Sequence, residues 1–161
     1  LQRTKITLRS RFSLLRVAMM TAGSKRQEQL EQVTFFVEGI PVPQGSKNVS
    51  RWGNVYDANH KELRAWRHKI AQGAHDATDH VFTGPVHVRV EFILPRPKTV
   101  KRIYPAVKPD LDKLLRACFD GLHCSGHKLL VDDSLVCSTQ CSKRYLIGTE
   151  SPGALITVSS L

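Results

Sequence analysis

The period of hydrophobic and polar positions changes several times along this chain, and each change marks an element. Val33-Thr-Phe-Phe-Val-Glu alternates, with Val33, Phe35 and Val37 on one face, which predicts a strand. Gly39-Ile-Pro-Val-Pro-Gln-Gly-Ser-Lys-Asn reads as a loop from its Pro and Gly content. Over residues 59–79 the period lengthens. Leu63, Trp66, Ile70, Ala74 and Ala77 recur at three and four while Lys61, Arg64, Arg67 and Lys69 project elsewhere, which predicts a helix. Gly84-Pro85 breaks the chain. Val86, Val88, Val90, Phe92 and Leu94 then alternate with His87, Arg89 and Glu91 as a strand. Pro95 to Pro109 is a loop with four prolines and five bases, Arg96, Lys98, Lys101, Arg102 and Lys108, and no acid. A second helix follows, with Leu111, Leu114, Leu115, Cys118 and Leu122 as its apolar stripe and Gly121 and Gly126 at its end. Residues 130–145 read as a long strand, Ser151-Pro-Gly as a turn and Ala154–Val158 as a last strand. The order β-α-β-α-β-β has a helix on only two of its connections. It predicts an α+β fold, a mixed β-sheet with two main helices packed on one side.

With 161 residues, 41% of them hydrophobic and 24% charged, the chain suits one domain that buries a core without disulfides. Its four irregularly spaced cysteines fit a reduced, cytoplasmic protein. No run is apolar enough to cross a membrane. A formal charge of +10 points to a polyanionic partner. Residues 1–33 hold seven bases against two acids and show no clean period, so they read as a mobile basic tail ahead of a domain over 34–161. Their apolar patch is broken by Arg16 and too short for a secretory core. Residues 34–161 hold seventeen bases against twelve acids, and five of those acids are Asp110, Asp112, Asp120, Asp132 and Asp133. A basic domain that concentrates its acids in one stretch has a reason to do so.

Asp110 and Asp112 share a face in extended chain and diverge in a helix. Pro109 disfavours helix just before it, so Asp110 is placed in extended chain and Asp112 at the N-cap of the second helix. Both carboxylates then sit beside the positive end of a helix dipole, with Arg116 one turn further in. On a strand, neighbours point to opposite faces, so one of Asp132 and Asp133 joins such a site squarely. Several carboxylates in a dry place repel one another, and a divalent cation removes the conflict. All-oxygen ligands select a hard ion, Mg²⁺ or Mn²⁺, which activates water and supports phosphoryl displacement.

At these residues the sequence resembles the RusA-type crossover junction endodeoxyribonucleases, the Holliday junction resolvases of phages and prophages. The most specific stretches are Lys-Pro-Asp-Leu-Asp-Lys-Leu-Leu-Arg-Ala-Cys-Phe-Asp-Gly-Leu at 108–122 and Val-Asp-Asp-Ser-Leu-Val at 131–136. Gly39-Ile-Pro-Val-Pro-Gln-Gly-Ser-Lys and Gly84-Pro-Val also match. The resemblance implies a metal-dependent nuclease acting on branched DNA as a homodimer, in recombination, repair or phage DNA processing. It places the metal-binding catalytic acids on Asp110, Asp112 and Asp133, with Asp132 beside them as a further candidate. Two positions depart from the family pattern. Lys113 stands where Asn is common, and Arg116 stands where the family carries a catalytic lysine. Arginine keeps the charge and clamps phosphate through two nitrogens, but it does not carry protons.

DNA contacts fall to loop bases: Lys47, Arg51, Lys98, Lys101 and Arg102. Lys143 is a sixth candidate. In a straight strand it lies ~33 Å from Asp133, outside that residue's site. Trp66 falls on an apolar stripe and reads as core, whereas Trp52, beside Arg51 and Gly53, is free to stack on bases. Cys124-x-x-His127 and Cys137-x-x-x-Cys141 suggest zinc only superficially. Four strand residues span ~13 Å, too far for two sulfurs to share an ion. Cys118 and Cys137 read as buried small hydrophobes. A non-catalytic basic DNA-binding protein is the alternative, and a D-x-D phosphatase ranks last. A C₂ dimer also suits the near two-fold symmetry of a four-way junction.

Overall fold

The computed structural model describes residues 31–45, 47–57, 59–124 and 128–161, with the backbone alone for residues 47, 48 and 55–57. The basic tail lies outside the described residues. Strand β1 spans Gln32–Glu38 and so includes Gln32 and Val33; at its margin Glu31 N–H donates to Ser160 Oγ at 3.0 Å and Ser160 N–H donates to the Glu31 carbonyl at 2.9 Å. A short hairpin follows, β2 at Lys47–Val49 and β3 at Val55–Asp57. Helix α1 spans His60–Ala77, β4 Val86–Leu94, α2 Leu111–Leu122, β5 Val136–Tyr145 and β6 Gly153–Ser160. The main elements keep the expected β-α-β-α-β-β order; the hairpin is an addition within what reads as loop.

Four strands form one sheet in the order β1-β6-β4-β5. β6 runs antiparallel to both its neighbours, while β4 and β5 run parallel. Parallel neighbours need a crossover, and α2 supplies it. Alternation sends Phe35, Val37, Val86, Val88, Val90, Phe92, Ala154, Ile156 and Val158 to one face. Leu63, Trp66, Ile70 and Ala74 of α1 and Leu114, Ala117, Cys118 and Leu122 of α2 cover that face. Ala77, the last position of the expected α1 stripe, is exposed at the frayed end of the helix.

The helices meet at Gly121. A Cβ there would lie 2.8 Å from the Cβ of Ile70, so only glycine allows this approach. Gly121 therefore serves contact inside α2, not termination, and Gly126 lies outside the described residues. Arg67 and Asp120 form an ion pair across the same helix pair, which takes Asp120 out of the acidic constellation.

Beyond α2 the expected long strand is shorter. Residues 128–131 run along the end of α2, where Leu129 and Leu130 donate to the Leu122 carbonyl at 3.0 and 3.2 Å. A 3-10 turn over Asp133–Leu135 precedes β5. Leu135 and Val136 tuck against the core, and the turn re-aims the chain before pairing begins. Cys137, Ser138, Thr139 and Gln140 are exposed on this edge strand, so Cys137 is not the buried hydrophobe its spacing suggested. Cys118 is buried, and burial pushes its thiol up to about 12. All four cysteines are free.

Candidate active site

Helix α2 begins one turn's fraction earlier than its carboxylates suggest. Asp110 is the N-cap, in extended conformation at φ −71° and ψ 141°, and Asp112 lies within the first helical turn. Leu111 packs against the core, which draws the helix start forward from Asp112. The Asp110 backbone carbonyl accepts from Leu114 N–H at 3.1 Å. Its side chain makes no capping bond; it pairs with Lys113 Nζ at 3.0 Å. That lysine holds the Asp110 carboxyl below the usual carboxylate range, against an opposing effect of burial and with lesser help from Lys108 and Lys143. Asp112 and Arg116 are exposed on the same helix.

Lys143 is where the strand direction puts it, beside Asp110. Its ammonium donates to the Val107 and Pro109 carbonyls, both at 2.8 Å. It is half-buried and opposite Phe92 across the sheet. β5 follows α2 through a crossover and so returns alongside it. The end of β5 remote from Asp133 is thus the end next to the start of α2. Lys143 fixes the chain that carries Asp110.

The second acidic pair lies at the other end. The Asp132 carboxylate caps the 3-10 turn, accepting from Ser134 N–H at 2.9 Å. Ser134 holds that carboxyl below its ordinary value, with smaller effects from His123 and Lys128. His123 is the C-cap of α2. A 12-residue helix is about 18 Å long. Asp110 and Asp112 at its start are therefore remote from Asp132 and Asp133 beyond its end. Among the described residues no three His, Cys, Asp or Glu side chains come together as a metal-binding group. Cys124, Cys137 and Cys141 form no such group, and His127 lies outside the described residues. Asp110, Asp112 and Asp133 likewise form no such group within one chain.

The basic loop is built, not slack. Arg96 donates to the carbonyls of Val100, Lys101 and Arg102, each at 3.2 Å, and its guanidinium lies 5.7 Å from the Tyr145 ring centroid. Lys98, Lys101 and Arg102 keep their side chains exposed around this arch. Arg51 stacks on Trp52 at the tip of the β2–β3 hairpin. The side chain of Lys47 lies outside the described residues. Gln44 N–H donates to the Lys113 carbonyl at 3.0 Å, and Pro41, Pro43, Lys108, Pro109, Asp110 and Lys113 line one shallow cleft. Sequence spacing singles out Asp110, Asp112 and Arg116 correctly as neighbours along one helix end. It misses Lys143 as a residue that arranges that end. A crossover between parallel strands is the signal that would have found Lys143.

An exposed acidic helix start stands beside a pinned basic loop, on a mixed sheet with both helices on one face. The family model for the endodeoxyribonuclease RusA matches residues 38–159. The chain belongs to the RusA family and is an endodeoxyribonuclease of the crossover-junction type. No curated protein matches it. No helix among the described residues is long and apolar enough to cross a membrane.

Proposed function

We propose that this protein cuts four-way DNA junctions and related branched DNA, in recombination, repair or phage DNA processing, as a Mg²⁺- or Mn²⁺-dependent homodimer. The observation that carries the reading is the start of α2. Asp110 and Asp112 stand there with Arg116 one turn on, beside a loop whose lysines are exposed. Carboxylate oxygens suit a hard divalent ion, which supplies an activated water and charge compensation when bound. Arg116 clamps the scissile phosphate, and Lys98, Lys101, Arg102, Lys47 and Arg51 contact the backbone. Lys143 is a positioning residue in this reading, because its ammonium is already engaged.

The homodimer has a second support besides junction symmetry. Asp133 lies about a helix length from Asp112 within one chain. A two-fold axis that brings the end of α2 in one copy to its start in another completes both ion sites at once. The test is cleavage of a labelled four-way junction with Mg²⁺ and with chelator. Asp133→Asn is expected to abolish cleavage and keep junction binding, since the acids oppose DNA. Cleavage by Asp133→Asn at the parent rate would remove Asp133 from the site.

A further inference from the structure

The β2–β3 hairpin carries a feature that phosphate contacts and metal ligands leave unused. Trp52 is 80% exposed, whereas the only other tryptophan, Trp66, is 2% exposed in the core. The Arg51 guanidinium carbon lies 5.3 Å from the Trp52 ring centroid, so a cation covers the ring on one side. The turn beneath is well tied. Ser50 N–H donates to the Asn54 carbonyl at 2.8 Å, and Gly53 N–H to the Ser50 carbonyl at 2.9 Å. Ser50 Oγ accepts from the backbone N–H of Trp52 and Asn54 at 3.3 and 3.0 Å. Gly53 sits at φ +79°, where a side chain would be strained. The aromatic ring is thus presented on a fixed turn. The segment leading into the hairpin is bonded to α2 through Gln44, in the wall of the cleft that holds Asp110.

We propose that the Arg51–Trp52 pair is a stacking site for an unstacked nucleobase at the branch point of branched DNA. The inference rests on the nuclease reading above and assigns a base-binding element to it. In intact duplex each base is covered by its neighbours and offers only edges in the grooves. At a branch point base faces are uncovered, and an exposed indole gains about 1–3 kcal/mol by stacking on one. Arg51 strengthens such a stack from the far side of the ring and can also meet a phosphate. A hairpin that reads base faces rather than edges favours branched over linear DNA without requiring a sequence.

Tryptophan emission and DNA affinity, measured together without divalent metal so that nothing is cut, test this. The full chain, Trp52→Phe and Trp52→Ala are titrated with a four-way junction and with a linear duplex of equal length. The parent's exposed-tryptophan emission is expected to be quenched by the junction and little changed by the duplex, and Trp52→Phe is expected to lose that response while keeping near-parent affinity. Trp52→Ala is expected to bind the junction about 10-fold more weakly and the duplex almost normally. Its melting temperature should match the parent's, since Trp52 packs on little. Equal quenching by duplex and junction overturns the unstacked-base site. Junction preference retained in full by Trp52→Ala overturns the stacking site alone. A parent chain with no preference for the junction overturns the nuclease reading and the stacking site together.

Discussion

Asp110, at the start of α2, is met by ammonium groups, Lys113 in contact and Lys108 and Lys143 further off, whereas Asp132, beyond the end of the same helix, is met by Ser134, through its side chain and its backbone N–H. The difference is one of replaceability. A lysine side chain that neutralises a carboxylate can swing away when a metal or phosphate arrives. A backbone N–H that caps a turn stays with its fold. Asp132 is therefore engaged by the turn it caps, whereas its neighbour Asp133 is exposed in the first residue of that turn. At the start of α2 the carboxylate's partner is adjustable; beyond its end the partner is fixed.

Splitting the two ends between two chains gives the largest expected effect. Asp112→Asn and Asp133→Asn are each expected to cut junction cleavage by more than the about 10–100-fold typical of an outer-shell change. Mixed and allowed to re-dimerise, the two inactive variants should recover up to about a quarter of parental sites, because one of two sites in each mixed dimer is intact. No recovery on mixing would place both ends in one chain's site. Gly121→Val addresses the fixed end alone. It forces a side chain into Ile70 and is expected to cost about 1–3 kcal/mol in chemical denaturation. A neutral result would show that the helices have room to part.

The adjustable end should respond more gently. Lys143→Met is expected to raise the Mg²⁺ concentration for half-maximal cleavage about 10-fold, with kcat at saturating metal nearly kept and Lys143→Arg restoring most of the loss. A fall in kcat at all Mg²⁺ levels would give Lys143 a direct part in the chemistry. Arg116→Lys is the smallest change, expected to move the rate within about 10-fold, or 1.4 kcal/mol of barrier. A much larger gain would show that the arginine is limiting.

The sheet and helices were legible because their burial is periodic. Val86 to Leu94 alternates along nearly its whole length, and every other position faces the helices. The hairpin was not, since three-residue strands are too short to show a period. The start of α2 was misplaced by two residues because Pro109 and two aspartates suit more than one cap, and only the burial of Leu111 decides between them. Asp110, Asp112, Asp132 and Asp133 were visible as a cluster in sequence. Their separation along α2 was not, because nearness along the chain says little about nearness across a crossover. Lys143 shows the converse, a residue remote along the strand from one acid and adjacent to another.

The Arg96 arch has a consequence for how the loop meets proteases. Lys98, Lys101 and Arg102 offer trypsin three exposed side chains in a segment without regular structure. A protease must draw the scissile peptide into extended form, and the carbonyls of Lys101 and Arg102 are those that Arg96 holds. Cutting after either residue requires the arch to open first. The rate of nicking there is thus a clock for loop opening, readable in the intact chain, and Arg96→Ala sets it running fast.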